Sequence, residues 1–276
     1  MRTGLILALA WGCAGILEAA EPDEIMMHSV KLAEANWSEA PNYSFIRSEA
    51  NSEGDAQPTR KTYEVLMIEG SPYRKMIAEE GRELSPVAAR EEEQKLRREI
   101  EKRRRESPRE RQKRIAKYAE ERDHDHAFLS GIPVAFVFRM SNQGPPESDG
   151  VWLLEGRPKP GYTPSTREGK VLAGMNFKFW IDKATCQWLR IEAEVQHPVS
   201  IYGMFAKVGP GTKFTLEQAP VSPNIWLPKH FTMHVDATAL GFIKKDSVEE
   251  ETYSDYRPIR GADAANAGAA SATGLQ

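Results

Sequence analysis

The chain has 276 residues, 37 Lys and Arg against 40 Asp and Glu, a net charge of -3 and a charged fraction of 28%. A mean hydropathy of -0.55 excludes a multispanning membrane protein, and the aromatic and β-branched residues between Val134 and Tyr256 exclude a wholly disordered chain. Charge this closely balanced supplies no global field for nucleic acid.

The first twenty residues have the composition of an export signal: Arg2, an apolar run from Leu5 to Leu17, then small residues at Ala19-Ala20. The run is shorter than the roughly 20 apolar residues a spanning helix needs. Acylation of Cys13 is disfavoured by Trp11 close before it. Cleavage would remove Cys13 and leave Cys186 as the lone cysteine, so the mature fold is expected to hold by packing without an internal disulfide.

From Glu24 to Trp37 the apolar residues Ile25, Met26, Val30, Leu32, Ala33 and Trp37 fall mostly at helical spacing, predicting an amphipathic N-terminal helix. The period then shortens to two. Strands are expected around Tyr43 to Ser48, Tyr63 to Met67 and Tyr73 to Ala78, with turns at Glu69-Gly70 and Glu80-Gly81.

Between Val87 and His126 stand 14 Lys or Arg and 11 Asp or Glu, no glycine and few large apolar groups. This predicts a charged helical insertion over 85–126, solvated and stabilised by i,i+4 pairs. Ser85-Pro86 and Ser107-Pro108 each set a capping hydroxyl before a proline suited to the first helical turn, and Glu110 completes a capping box, so two helices are expected. The insertion is +3, which leaves the rest of the chain at -6.

Beyond it, strands follow from Val134 onward, giving about nine to eleven in all, with connections short enough for antiparallel neighbours. Alternation places Phe177, Phe179 and Ile181 on one face, with Leu189, Ile191 and Val195, then Phe214 and Leu216, then Leu227, Phe231, Met233 and Val235. The expected fold is α+β: one curved antiparallel sheet, wet outside and apolar inside, covering helices. Residues 261–276 form an Ala/Gly/Ser tail that cannot bury a core.

Catalytic signatures are missing. The sequence holds no P-loop, dinucleotide fingerprint, G-x-S-x-G elbow or H-E-x-x-H, so neither an enzyme nor a cofactor is expected. His124-Asp125-His126 lacks a neighbouring third ligand, and His230 and His234 lie roughly 13 Å apart along a strand, so no metal site is expected. Cys186 falls in a hairpin turn with no flanking histidine, and the tryptophans are expected in packing roles.

The order of elements, together with Ser71-Pro72-Tyr73-Arg74, Glu80-Gly81-Arg82-Glu83-Leu84, Phe179-Trp180-Ile181-Asp182-Lys183, Ile225-Trp226-Leu227-Pro228 and Tyr253-Ser254-Asp255-Tyr256-Arg257, resembles the periplasmic lipoprotein carrier and outer-membrane lipoprotein-sorting family. The resemblance implies a half-barrel over 21–260 whose concave apolar face takes a lipid or lipoprotein acyl chain, with the twelve face residues above as the site. It also implies a periplasmic location and a lid-tethering arginine, for which Arg74 is the candidate. The charged insertion departs from the family by its size and its poverty in the apolar residues a lid needs. The alternative reading is a regulatory or scaffolding domain of the same fold, as in sigma-factor regulators, that holds an envelope protein partner by a sheet edge or by the charged helices.

Overall fold

The structure, a computed structural model, describes residues 21–54, 56–141, 150–200, 207–239 and 243–259. The export signal, Cys13 and the C-terminal tail expected from the sequence lie outside the described residues. Helix α1 (Pro22–Glu39) opens on a proline at its first turn, with Asp23 and Glu24 there to complement the helix dipole. Ile25, Met26, Ser29, Val30, Ala33 and Asn36 form its buried stripe.

Four strands follow: β1 (Tyr43–Glu53), β2 (Thr59–Ile68), β3 (Ser71–Glu79) and the short β4 (Arg82–Glu83). The β2–β3 and β3–β4 turns are Glu69-Gly70 and Glu80-Gly81, all four residues at positive φ, as a two-residue hairpin matched to strand twist requires. Helices α2 (Pro86–Arg104) and α3 (Pro108–Ala135) come next. Ser85 Oγ accepts from Ala88 N, and Ser107 with Glu110 forms the expected capping box.

Helix α3 runs past His126 to Ala135, so Val134 is helical and the strand expected there begins two residues later. Phe128, Leu129, Ile132 and Ala135 recur at helical spacing, and this period overrides the β propensity of Val134. The remaining elements are β5 (Phe136–Met140), β6 (Val151–Pro158), α4 (Arg167–Leu172), β7 (Met175–Asp182), β8 (Trp188–Val195), β9 (Val199–Ser200), β10 (Lys207–Val208), β11 (Lys213–Ser222), β12 (Ile225–Ala239) and β13 (Ile243–Pro258).

Eleven strands make one antiparallel sheet in the order β4-β3-β2-β1-β13-β12-β11-β8-β7-β6-β5, while β9 and β10 pair separately. First and last strands thus meet mid-sheet, from Tyr43↔Pro258 to Glu53↔Ser247. The two free edges, β4 and β5, are consecutive strands of the main sheet joined by α2 and α3. Ten spacings of ~4.8 Å would put them ~48 Å apart in a flat sheet, close to the ~42 Å length of a 28-residue helix. The helical pair is therefore a strap between the edges, and the sheet curves beneath it.

One end of the strap is locked. Arg103 is 6% exposed and donates to Ile68 O (2.9 Å), Ser71 O (2.8 Å), Ser71 Oγ (3.1 Å) and Pro72 O (3.2 Å) around the β2–β3 turn. Arg114 of α3 donates to Ser71 Oγ (2.7 Å) and Glu69 O (3.0 Å), and pairs with Glu106. The insertion is solvated on one face only, for Arg103, Glu92 and Leu96 are buried. Charge density in the sequence could not distinguish a guanidinium spent on water from one spent on backbone carbonyls.

The core lies between α1, the end of α3, α4 and strands β5 to β8. Phe136, Phe138, Phe177, Phe179 and Trp188 make a chain of ring contacts with centroids 5.1–6.3 Å apart. The buried Ser29 and Asn36 of α1 are paired: Trp188 Nε1 donates to Ser29 Oγ (2.9 Å), Asn36 Nδ2 donates to Gln187 Oε1 (2.7 Å), and Trp226 N donates to Asn36 Oδ1 (3.0 Å).

Candidate functional site

Helices cover the concave face incompletely. Between them and strands β7, β8, β11 and β12 is a cavity of about 530 Å³, within the range of small-molecule sites. Its floor carries Phe177, Ile191, Phe214, Leu216, Leu227 and Phe231, six of the twelve face residues the sequence pointed to. Its roof is Ala33 and Trp37 from α1, Phe128, Leu129 and Ile132 from α3, and Val171 and Leu172 from α4.

The other six face residues lie elsewhere. Phe179 and Ile181 are wholly buried beneath the helices in the aromatic core. Val195 and Val235 belong to a second small cluster, against which Met233 packs. Leu189 falls at a β-bulge: Ile181 pairs with Trp188 while Trp180 pairs with Arg190, so Trp188 takes the inward place and lines the cavity instead. A one-residue register change of this kind leaves no mark in the alternation of a single strand.

The lid is more apolar than the charged insertion promised, because α3 continues into Phe128, Leu129 and Ile132. Arg74 does not hold it. Its guanidinium donates to Glu49 Oε1 (2.6 Å) and lies 4.1 Å from the Tyr63 ring centroid, while Arg103 and Arg114 reach the other way, from helix to sheet. The roof residues of α4 were missed in the sequence, since six residues are too few to display a helical period.

Beyond β12 charged groups enter the row. Cross-strand pairs put Glu251 beside Phe231 and Glu249 beside Met233, then Arg47 beside Tyr253, and Tyr63 beside Arg47, all on the concave face. Arg47 and Tyr253 both donate to Glu251, which is 5% exposed. Burial, and then the charge of Glu251 and a hydrogen bond to it, push the Glu249 carboxyl above the usual range. Burial likewise drives the Tyr253 and Tyr256 phenols well upward. The concave face is therefore half apolar and half a charged network.

Other candidates resolve into structural roles. His124 Nδ1 meets Glu168 Oε1 (3.0 Å), His126 packs tilted against Trp37 at 4.8 Å between ring centroids, and Asp125 faces the cavity, so the three diverge. No cluster of three metal-ligating side chains occurs among the described residues. His230 pairs with Glu250 (2.9 Å). Burial, and next the charge of Asp182, raise the Cys186 thiol, the opposite of nucleophile activation. A trough of about 360 Å³ on the outer sheet face is walled by Glu155, Lys178, Glu192, Glu194 and Lys213, whose charges oppose one another across neighbouring strands.

Fold and cavity together define an α+β half-barrel enclosing a largely apolar cavity. No helix among the described residues is long and apolar enough to cross a membrane. No protein-family model matches the sequence, and no curated protein matches it. Among solved structures, the chain is similar to a LolA superfamily protein from Nitrosomonas europaea, at 10% identity and a TM-score of 0.33, covering 85% of this chain and 95% of that one. A DUF1329 family protein from Desulfovibrio piger aligns at 11% identity and a TM-score of 0.33, covering 91% and 99%. A chain of the MucA/MucB complex of Pseudomonas aeruginosa aligns at 8% identity and a TM-score of 0.22, covering 85% and 100%.

Proposed function

We propose that the protein is an exported carrier that holds a lipid, or the acyl chain of a lipoprotein, noncovalently in the half-barrel, with residues 1–20 as its signal peptide and the periplasm as its place of work. The observation that carries this is the cavity of about 530 Å³ roofed by Phe128, Leu129 and Ile132 and floored by Phe177, Ile191, Leu216 and Phe231. Each methylene buried there is worth about 0.8 kcal/mol, so a chain of twelve contributes ~10 kcal/mol. Association costs at least about 4 kcal/mol, which leaves at most about 6 kcal/mol, a Kd on the order of tens of micromolar for this chain alone. Among the described lining residues there is no nucleophile paired with a base, so the chamber is suited to holding a ligand and not to cleaving one.

The test is a titration of delipidated protein with a fluorescent long-chain acyl probe, competed by unlabelled fatty acid. Saturable uptake near one probe per chain supports the carrier; no uptake refutes it.

The second reading, a domain that holds an envelope protein, is favoured by the strap's outer face, where Arg97, Lys102 and Arg105 have side chains 71–82% exposed. Because α3 continues into the cavity roof, reversing these three charges tests that surface better than removing the helices. Loss of a co-purifying partner with acyl binding intact would favour this reading.

A further inference from the structure

The cavity is apolar except at one end, and two buried polar atoms there have no hydrogen-bond partner. They are the Trp37 indole Nε1, a donor, and Gln218 Oε1, an acceptor. Both residues line the cavity. Nearby buried groups are satisfied, including Asn36, Gln187, Ser29 and the Trp188 indole. Native structures rarely leave a buried donor and a buried acceptor unpaired beside the same void, and a ligand is one ready explanation.

The surrounding contacts bring these atoms to the same end of the chamber. Trp37 stands on the last turns of α1, where Asn36 Oδ1 accepts from Trp226 N and anchors the start of β12. Pro228, two residues along β12, is the ladder partner of Gln218. From above, α3 lays Arg122 over the Trp37 indole at 4.0 Å and His126 against it, with Asp125 between them lining the cavity.

Charge narrows the ligand class. No Lys, Arg or His lines the cavity among the described residues, and Asp125 is the lining residue that titrates. Arg122 is engaged with the Trp37 carbonyl (2.7 Å) and ring, Glu34 pairs with His126, and Glu168 pairs with His124. Burial holds the Asp125 carboxyl above its ordinary value, opposed by Arg122 and His124. A carboxylate or phosphate entering this end would meet no lining cation and would face an acid.

We propose that this end is a head-group subsite for an uncharged group that both accepts and donates a hydrogen bond, an amide or a hydroxyl, carried on a long hydrocarbon chain. Trp37 Nε1 donates to its oxygen, and Gln218 Oε1 accepts from its N–H or O–H. The subsite rests on the reading that the chamber takes such a chain.

The test is a displacement titration of the folded protein, at pH 8, with four ligands that share a twelve-carbon chain: lauramide, dodecanol, methyl laurate and laurate. The amide and the alcohol should bind at least about tenfold tighter than the ester, which only accepts, and than the anion. Trp37→Phe keeps the ring under Arg122, and Gln218→Met keeps the volume. Gln218→Met should shrink that preference while leaving methyl laurate affinity unchanged, and Trp37→Phe should weaken the amide, the alcohol and the ester alike. If Trp37→Phe melts early, Gln218→Met alone decides, since it removes the acceptor that separates alcohol from ester. Equal affinities for all four ligands, or a preference that survives Gln218→Met, would overturn the subsite and leave the carrier standing. Failure of all four to displace the probe would sink the carrier, and the subsite with it.

Discussion

Arg103 offers the sharpest test of how the strap is held. Its guanidinium, on a side chain 7% exposed, gives four hydrogen bonds of 2.8–3.2 Å to the β2–β3 turn and one of 2.8 Å to Glu99. Arg103→Met keeps the aliphatic stem and removes every donor, leaving the carbonyls of Ile68 and Ser71 without this partner beneath α2. Hydrogen bonds to a charged group are worth about 1.5–3 kcal/mol each. They share one side chain and do not add, so the loss from breaking this buried polar cluster should be ~3–5 kcal/mol. That is a large part of a typical domain stability of about 5–15 kcal/mol. Urea unfolding followed by tryptophan fluorescence and by far-ultraviolet circular dichroism measures it. Because Arg114 shares Ser71 Oγ, a double-mutant cycle with Arg114→Met should show coupling of about 0.5–3 kcal/mol. A loss below about 1 kcal/mol, or full rescue by Arg103→Lys, would refute the reasoning, since a point charge cannot replace a planar fork on four acceptors.

Filling the chamber with Leu216→Trp should cut acyl-probe affinity by about tenfold or more, at little cost in melting temperature, because the ring enters space the fold leaves open. Glu249 gives a pH signature: its carboxyl is raised in the folded chain, so folded protein binds the proton more tightly than unfolded protein and stability falls as pH rises above the ordinary glutamate value of about 4.3. Glu249→Gln should therefore stabilise increasingly in thermal melts as pH rises above about 4.3 and level off once the folded carboxyl has ionised, whereas a constant offset would contradict the assignment. Gly156 sits where an added Cβ would lie 2.9 Å from the Phe138 ring, so Gly156→Val should cost about 1–3 kcal/mol by overpacking, read by urea unfolding.

The half-barrel was legible because its signals are local. Ser107 and Glu110 announce a helix start within four residues, and Phe177, Phe179 and Ile181 declare a face within five. The charged half of the concave face was not, because Glu249, Glu250 and Glu251 show no alternation. Only their pairing with β12 and β1 reveals that Glu249 and Glu251 look inward while Glu250 does not. The cavity was half legible: strand period found its floor, but its roof depends on where α3 stops. Phe128, Leu129 and Ile132 carried that signal just past the charged run. The unpaired Trp37 and Gln218 atoms had no sequence signal, since satisfaction is a property of neighbours brought from distant elements.

The mid-sheet ladder between first and last strands has a kinetic consequence. Ser44 and Arg257, bonded across it, are 213 positions apart, so strands β1 to β4 cannot join the other seven until the final 16-residue strand is available. Such a non-local closure is slow and comes late. A ribosome, delivering the amino terminus first, thus handles a chain whose β1 edge is still unzipped. Truncation anywhere within β13 should leave two separate meanders with exposed edges, prone to aggregate, in place of a slightly shortened half-barrel.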